Sequence, residues 1–394
     1  MKTKYETSWD RYSKEWEKSG IEGKDLGVEW GDDALTRQVH EKFLVPRLSP
    51  DATVLEIGPG GGKYSAGAAP ACRKLICADV SGEMLRRTKK RLGDDAPLDT
   101  VKLNGLDFTG IEDDSIDFAF SIDVFVHLDL EDIYVYLREF KRVLRPGGKL
   151  VLHFASLLTF PGLDLFFREA DINRAQFKQI GRINFMTPEL GRRLFEGVGF
   201  EVEEVDTDTS PRDFLIAAHK PELPRDSLAE ERTRRILERA GAGGVARDFV
   251  REFPVAIRIA PDDRYTGVTP MTIDGETRQS LFAHPPAQIA WPLTIPPKAT
   301  LHASCGLSPE VWEKCYEQGV LFRVAFRCGT EEHELFSRTV DPVHREADRA
   351  WHEIRADLSK HGGKVGMIVF ETRIGAGSND YNWCGFGEPA IVTS

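Results

Sequence analysis

The chain has 394 residues, 41% hydrophobic and 29% charged, enough apolar material for two ordinary globular cores. A net charge of −11 and an isoelectric point near 5.5 argue against gripping phosphate backbones by bulk charge, so the expected partner is a small molecule or a saccharide, not nucleic acid. Cys72, Cys77, Cys305, Cys315, Cys328 and Cys384 form no Cys-x-x-Cys pair, and neither a signal-peptide core nor an apolar run of about 18 residues is present; a cytoplasmic protein without a membrane span is expected.

In chain order, Tyr5, Trp9, Tyr12 and Trp16 come first, at steps of four, three and four. That spacing puts all four rings on one face of a helix, ordinarily a face buried in a core. From Thr53 to about Lys220 short apolar runs alternate with amphipathic stretches, the pattern of a parallel α/β sheet. Strands are expected at 54–57, 75–79, 117–122 and 149–154, and later at 200–205 and 214–218. Ile133, Leu137, Phe140 and Leu144 mark a helix before the fourth of these strands, stopped by Arg145-Pro146-Gly147-Gly148. Pro221-Glu222-Leu223-Pro224 breaks the pattern, and a charged, helix-prone stretch follows to about Ala240. Beyond it, short β-prone runs such as 321–326 and 365–370 are separated by turn residues without crossover helices, which predicts an antiparallel β-sandwich or jelly roll. The expected segments are therefore 1–50, an N-terminal helical segment; 51–220, an α/β domain; 221–245, a charged linker or helix; and 246–394, the sandwich.

The chemistry concentrates at Glu56-Ile57-Gly58-Pro59-Gly60-Gly61-Gly62, a strand end running into glycines and then a helix-compatible stretch. Glycines let a ligand approach the backbone, and a following helix N-terminus offers unpaired N–H donors. Lys63 stands where the dinucleotide fingerprint needs its third glycine, and no P-loop Gly-Lys-Ser/Thr follows. What remains is acid-x-Gly-x-Gly-x-Gly, with Asp79 about twenty residues on at the next strand end, where a carboxylate can accept both hydroxyls of a ribose.

Together with Ala78-Asp79-Val80-Ser81-Gly82-Glu83-Met84-Leu85, Gly105-Leu106-Asp107-Phe108, Phe118–Asp123 and Arg142–Gly148, this loop resembles the class I S-adenosylmethionine (SAM)-dependent methyltransferase family over roughly the first 220 residues. The resemblance implies a Rossmann-like, mostly parallel seven-stranded sheet and S-adenosyl-L-methionine as cofactor. It implies that Gly58, Gly60 and Gly62 form the methionine loop with Glu56 orienting the ammonium group through water. Asp79 would hold the ribose, Val80 and Met84 would flank the adenine, Asp107 would accept from its amino group, and Phe108 would give it a backbone N–H. Ser121 and Ile122 would line the methionine side, and the N-terminal helix or Trp30 would serve as a lid, the alternative to a core role for the aromatic stripe.

Methyl transfer to a hydroxyl needs a base, and an imidazole titrating near neutrality at His127 suits that step, against the plainer reading of a helix-start histidine bonded to a carbonyl. His153 reads as a core histidine. Asp123 would suit a metal, but no Asp-Asn pair follows to complete the site, so none is expected. A saccharide hydroxyl is the leading acceptor; an aromatic, quinone or lipid-like acceptor against Phe125, Phe154, Phe160, Phe166 and Phe167, or a protein that binds SAM or glycan without catalysis, are the alternatives. In the sandwich, Trp291, Trp312, Trp351, Asp380, Tyr381 and Trp383 offer a sugar surface or plain buried aromatics. The ending Asn382–Val392 loosely resembles carbohydrate-associated jelly rolls; glycan recognition, a homo-oligomer contact and substrate gating are its candidate roles.

Overall fold

The computed structural model describes residues 4–18, 33–105, 107–176, 181–224, 226–313, 319–374, 380 and 382–394; Trp30, Cys315 and Tyr381 lie outside them. The chain divides into two compact units, 1–221 and 222–394.

In the first unit, strands β1 (Thr53–Ile57), β2 (Lys74–Asp79), β3 (Leu98–Lys102), β4 (Ile116–Ser121), β5 (Leu144–Ser156), the two-residue β6 (Phe185–Met186), β7 (Glu201–Asp206) and β8 (Asp213–His219) form one sheet. Its order is β3-β2-β1-β4-β5-β8-β7, with β6 beside β5; β1 to β5 are mutually parallel and β8 runs antiparallel to both neighbours. This is the Rossmann-like, mostly parallel sheet implied by the motifs. Every residue of β1 is buried because helices cover both faces, which is why that strand reads as an unbroken apolar run around one acid. β3, at the edge, is half exposed and carries Asp99 and Lys102, so no apolar run announced it.

The helices are α1 (Lys4–Lys18), α2 (Asp33–Val39), α3 (Ser65–Ala68), α4 (Gly82–Leu92), α5 (Leu130–Val143), α6 (Phe160–Gln176) and α7 (Pro188–Val198). α4 starts where the Ser81 hydroxyl accepts from Met84 N–H, and α7 where Thr187 does the same for Leu190, ending on left-handed Gly199. The turn expected at Arg145–Gly148 is instead the start of β5: Gly147 N–H donates to Lys220 C=O at 2.8 Å and Lys220 N–H to Gly148 C=O at 2.9 Å, so β-pairing extends through it.

The second unit is a sandwich of two antiparallel sheets. One holds β10 (Ile257–Ile259), β13 (Ala287–Thr294), β18 (Val365–Ile374), β15 (Val320–Cys328) and β16 (Glu331–Val340) in that order. The other runs β11 (Thr266–Ile273), β12 (Glu276–Ala283), β19 (Cys384–Thr393), β14 (Ala299–Leu307) and β17 (His352–Asp357), with β9 (Gly244–Asp248) added on β19. Phe249, Trp291, Phe322, Phe370 and Phe386 join the facing sheets in one core. The segment expected as a linker, 221–245, lies in this second unit from residue 222 on. Its helix α8 (Ala229–Ala240) packs Ile236 and Ala240 on Ala390 and Val392, while Arg235 and Arg239 both pair with the buried Glu388. Helix and β19 need each other to satisfy that carboxylate.

Candidate active site

Strand order reverses between β1 and β4, the point where open α/β sheets bind ligands outside the carboxyl ends of their strands. The turn after β1 holds Gly58, Gly60 and Gly62 at φ of +70°, +57° and +80°. A β-carbon on Gly58 would stand 2.4 Å from Val124 Cγ2, whereas one on Gly60 would meet no heavy atom within 4 Å. Gly58 thus lets the loop close on the β4 turn, and Gly60 leaves its ligand side bare.

A cavity of about 650 Å³ opens over this loop. Ile57, Gly58, Gly60, Asp123, Val124, His127 and Leu128 line it on the β1/β4 side, and Asp79, Val80, Met84, Leu103 and Tyr136 on the β2/β3 side. Tyr5 and Trp9 of α1 complete the lining. α1 is held by polar contacts: Tyr5 OH donates to Asp132 at 2.6 Å, Ser81 Oγ to Asp10 at 2.7 Å, Arg87 to Ser13 at 2.6 Å, and Lys102 pairs with Glu6 at 2.7 Å. Burial, with the charge of Asp10 adding, pushes the Asp79 carboxyl up to about 7 against the N–H bond it accepts from Ser81. A desolvated carboxylate in an otherwise largely apolar cavity is a strong acceptor for paired hydroxyl donors.

Several implied residues sit elsewhere. Glu56 does not line the cavity; it is buried beneath the loop, takes a hydrogen bond from Ser65 Oγ, and is pushed by burial up to about 7. It ties α3 to β1. Gly62 also lies off the lining and gives α4 room, a β-carbon there standing 3.1 Å from Leu92 Cδ1. Asp107 folds onto its own turn, accepting from Asn104 and Thr109. The Phe108 N–H donates to the buried Glu139 at 2.8 Å. Ser121 Oγ bonds Ile57 C=O at 2.7 Å, and Ile122 faces a second cavity. Leu103, Val124, Leu128 and Tyr136 line the first cavity unannounced, because apolar residues at strand and helix ends carry no motif.

The second cavity, about 1270 Å³, shares with the first, among the described residues, only Asp123 and His127. Lys63, Tyr64, His153, Ser210, Arg212 and Asp213 give it polar walls, with Leu35, Val39, Ile122 and Ile183 as apolar ones. His127 lies in a 3₁₀ turn, and its Nδ1 is 2.8 Å from Arg182 C=O. A carbonyl only accepts, so Nδ1 carries a proton. The Trp9 ring stands 5.2 Å from this imidazole. His153 is buried and satisfied, as a core histidine is expected to be: it lies between Asp123 and Asp213, 3.2 Å from each. Burial opposes its charge, but the two carboxylates outweigh burial and raise it to about 9. Arg212 closes the row with two 2.7 Å bonds to Asp213. None of the five phenylalanines proposed for an aromatic acceptor lines either cavity: Phe125 and Phe154 are buried, and Phe160 and Phe167 are 83% and 64% exposed.

In the sandwich, the four tryptophans differ in exposure. Trp291 is buried with its indole N–H on Glu252 C=O, Trp312 bonds Leu307 C=O, Trp351 bonds Glu276 C=O, and Trp383 is exposed.

The sheet and its switch point define a Rossmann-like α/β domain. Residues 55–152 match the methyltransferase domain family. An uncharacterized protein of Archaeoglobus fulgidus is 36% identical over 98 residues, 25% of either chain. Nodulation protein S of Rhizobium tropici is 30% identical over 118 residues, 29% of this chain and 49% of that one. N-methyltransferase NodS from Bradyrhizobium japonicum, in complex with S-adenosyl-L-homocysteine, is 16% identical with a TM-score of 0.39, over 55% of this chain and 100% of that one. The chain spans no more than about half the length of these two curated relatives. Residues 55–152, within the first unit, form a class I SAM-dependent methyltransferase domain, and S-adenosyl-L-methionine is the cofactor of such a domain. The bare face of Gly60 and the desolvated Asp79 fit that molecule's amino-acid and ribose parts.

Proposed function

We propose that this chain methylates a hydroxyl of a saccharide or glycan precursor without a metal ion. The observation that carries the reading is the meeting of two cavities at Asp123 and His127. Asp79 would take the ribose hydroxyls, Val80, Met84 and Leu103 would flank the adenine, and Gly58 and Gly60 would pass under the methionine part. The cofactor supplies a methyl group on a positively charged sulfur. His127, its Nδ1–H fixed by Arg182, presents Nε2 to remove the acceptor's proton. Tyr5 and Trp9 make α1 a lid that excludes water from the transfer. A wall of mixed polar groups and aliphatic faces suits a polyhydroxylated ring, which offers both. The sandwich is proposed as an accessory glycan-recognition unit.

The test is release of S-adenosylhomocysteine by the purified chain against sugars, nucleotide sugars and phenols. Release with sugars or nucleotide sugars supports the reading. Release with phenols alone overturns the saccharide assignment, and none with any acceptor despite measurable SAM binding overturns transfer itself.

A further inference from the structure

Asp123 occupies an unusual position in several independent ways. It is a non-glycine residue at φ +62°, just past the end of β4, a conformation maintained only where surroundings enforce it. It lines both cavities, at their seam. The next residue, Val124, lies against Gly58, so the carboxylate sits beside the loop proposed to carry the methionine part. His153 fixes one of its oxygens from 3.2 Å and is itself fixed by Asp213 and Arg212, while 29% of the Asp123 side chain stays accessible. Burial alone would favour the neutral acid, but His153 outweighs it, with Lys63 adding, and Asp213 opposing more weakly, so the group stays ionised.

We propose that Asp123 is the residue by which this chain distinguishes the positively charged SAM from its neutral product. The inference rests on the reading of the first cavity as the SAM site. SAM and S-adenosylhomocysteine share adenine, ribose and amino-acid parts and differ by one methyl and one positive charge. That charge lies between the nucleoside and amino-acid ends, and the methyl has to point to the seam, where the acceptor cavity begins. An anion preorganised there attracts the sulfonium and has no such attraction for the thioether. Methyl transfer turns the sulfonium into a neutral thioether, and the acceptor's proton leaves a positive charge on His127 at the same seam. A carboxylate there faces the charge before and after the transfer, so holding SAM tightly does not oppose the step.

The experiment is titration of the full chain with SAM, with S-adenosylhomocysteine, and with sinefungin, which carries an ammonium in place of the sulfonium. In Asp123→Asn, SAM and sinefungin affinity is expected to fall about tenfold while S-adenosylhomocysteine affinity changes less than about twofold. Retained affinity for the neutral ligand shows at once that the variant is folded. Asp79→Asn, by contrast, weakens all three ligands alike, because they share the ribose. His153→Gln, which keeps Asp123 but loosens it, is expected to fall between wild type and Asp123→Asn for the two cations only. Equal loss for charged and neutral ligands in Asp123→Asn, or no loss for either, overturns the inference. Failure of the wild type to bind any of the three overturns the cofactor reading itself, and the inference with it.

Discussion

The two glycines of the cofactor loop make opposite predictions from the same chemistry. Gly58→Ala and Gly60→Ala each force a side chain into left-handed backbone, at about 1 kcal/mol apiece. At Gly58 the new methyl would also stand 2.4 Å from Val124 Cγ2, with Cγ1 at 3.1 Å, and such overpacking costs a further 1–3 kcal/mol or so. At Gly60 nothing lies within 4 Å, so the methyl projects into the cavity at no packing cost. Gly58→Ala is therefore expected to lose about 2–4 kcal/mol of stability, and Gly60→Ala about 1 kcal/mol with most of its SAM affinity. Val124→Ala in the Gly58→Ala background should recover part of the loss. The assay is urea unfolding of the full chain, followed at β1 and α4 by amide exchange so that the first unit is read alone, together with SAM titration. Equal destabilisation in the two single variants would refute the collision argument, and normal SAM affinity in Gly60→Ala would refute the placement of the cofactor.

His127→Ala should leave SAM binding intact and lower turnover by about 10²–10⁴-fold, measured as S-adenosylhomocysteine release; near-normal turnover removes His127 from the mechanism. The two units should respond to pH in opposite senses, read by amide exchange across a pH series. His153 is raised from 6.5 to about 9, so its stabilisation of the first unit is complete below pH 6.5 and lost as pH rises through 9; His153→Gln should flatten that loss. His361, buried and 4.6 Å from the His333 ring, is lowered by burial and then by His333, so its contribution is present above pH 6.5 and lost as pH falls. If α1 is a lid, trypsin should cut at Arg11 and Lys14 more slowly when SAM is added, and Trp9→Ala should weaken that protection; cleavage indifferent to SAM counts against the lid.

How much of this was legible in the chain depends on what each residue answers to. The strands β1, β2, β4 and β5 were, because a strand covered on both faces has to be apolar throughout and then stop. β3 was not: half exposed at the sheet edge, it needs no such run. Asp79 stands out in the chain only in combination with the glycine loop, and the structure places it on the cavity wall. The motif does not tell that the Glu56 carboxylate takes a bond from Ser65 or that the Phe108 N–H donates to Glu139, because those partners lie outside it. His153 reads as a satisfied core histidine and is one, but what satisfies it is not legible in the chain. Its partners Asp123 and Asp213 lie 30 residues before it and 60 after it, and nothing local in the chain joins the three.

The aromatic stripe of α1 shows where periodicity stops being informative. Steps of four, three and four establish that Tyr5, Trp9, Tyr12 and Trp16 share a face, and a face shared by aromatics seeks cover. Periodicity does not say what covers it. The structure supplies that answer through polar partners, not apolar ones: Asp132, Ser81, Arg87 and Lys102 fix α1 over the cavity, and Tyr5 and Trp9 take the ligand side. Partly exposed polar bonds of this kind contribute little each, so a helix held by them opens at low cost. A bound cofactor touching Tyr5 and Trp9 would add apolar contact that the open state lacks, and closure would then be linked to occupancy. Of the four aromatics that share this face, Tyr5 and Trp9 line the cavity and Tyr12 and Trp16 do not.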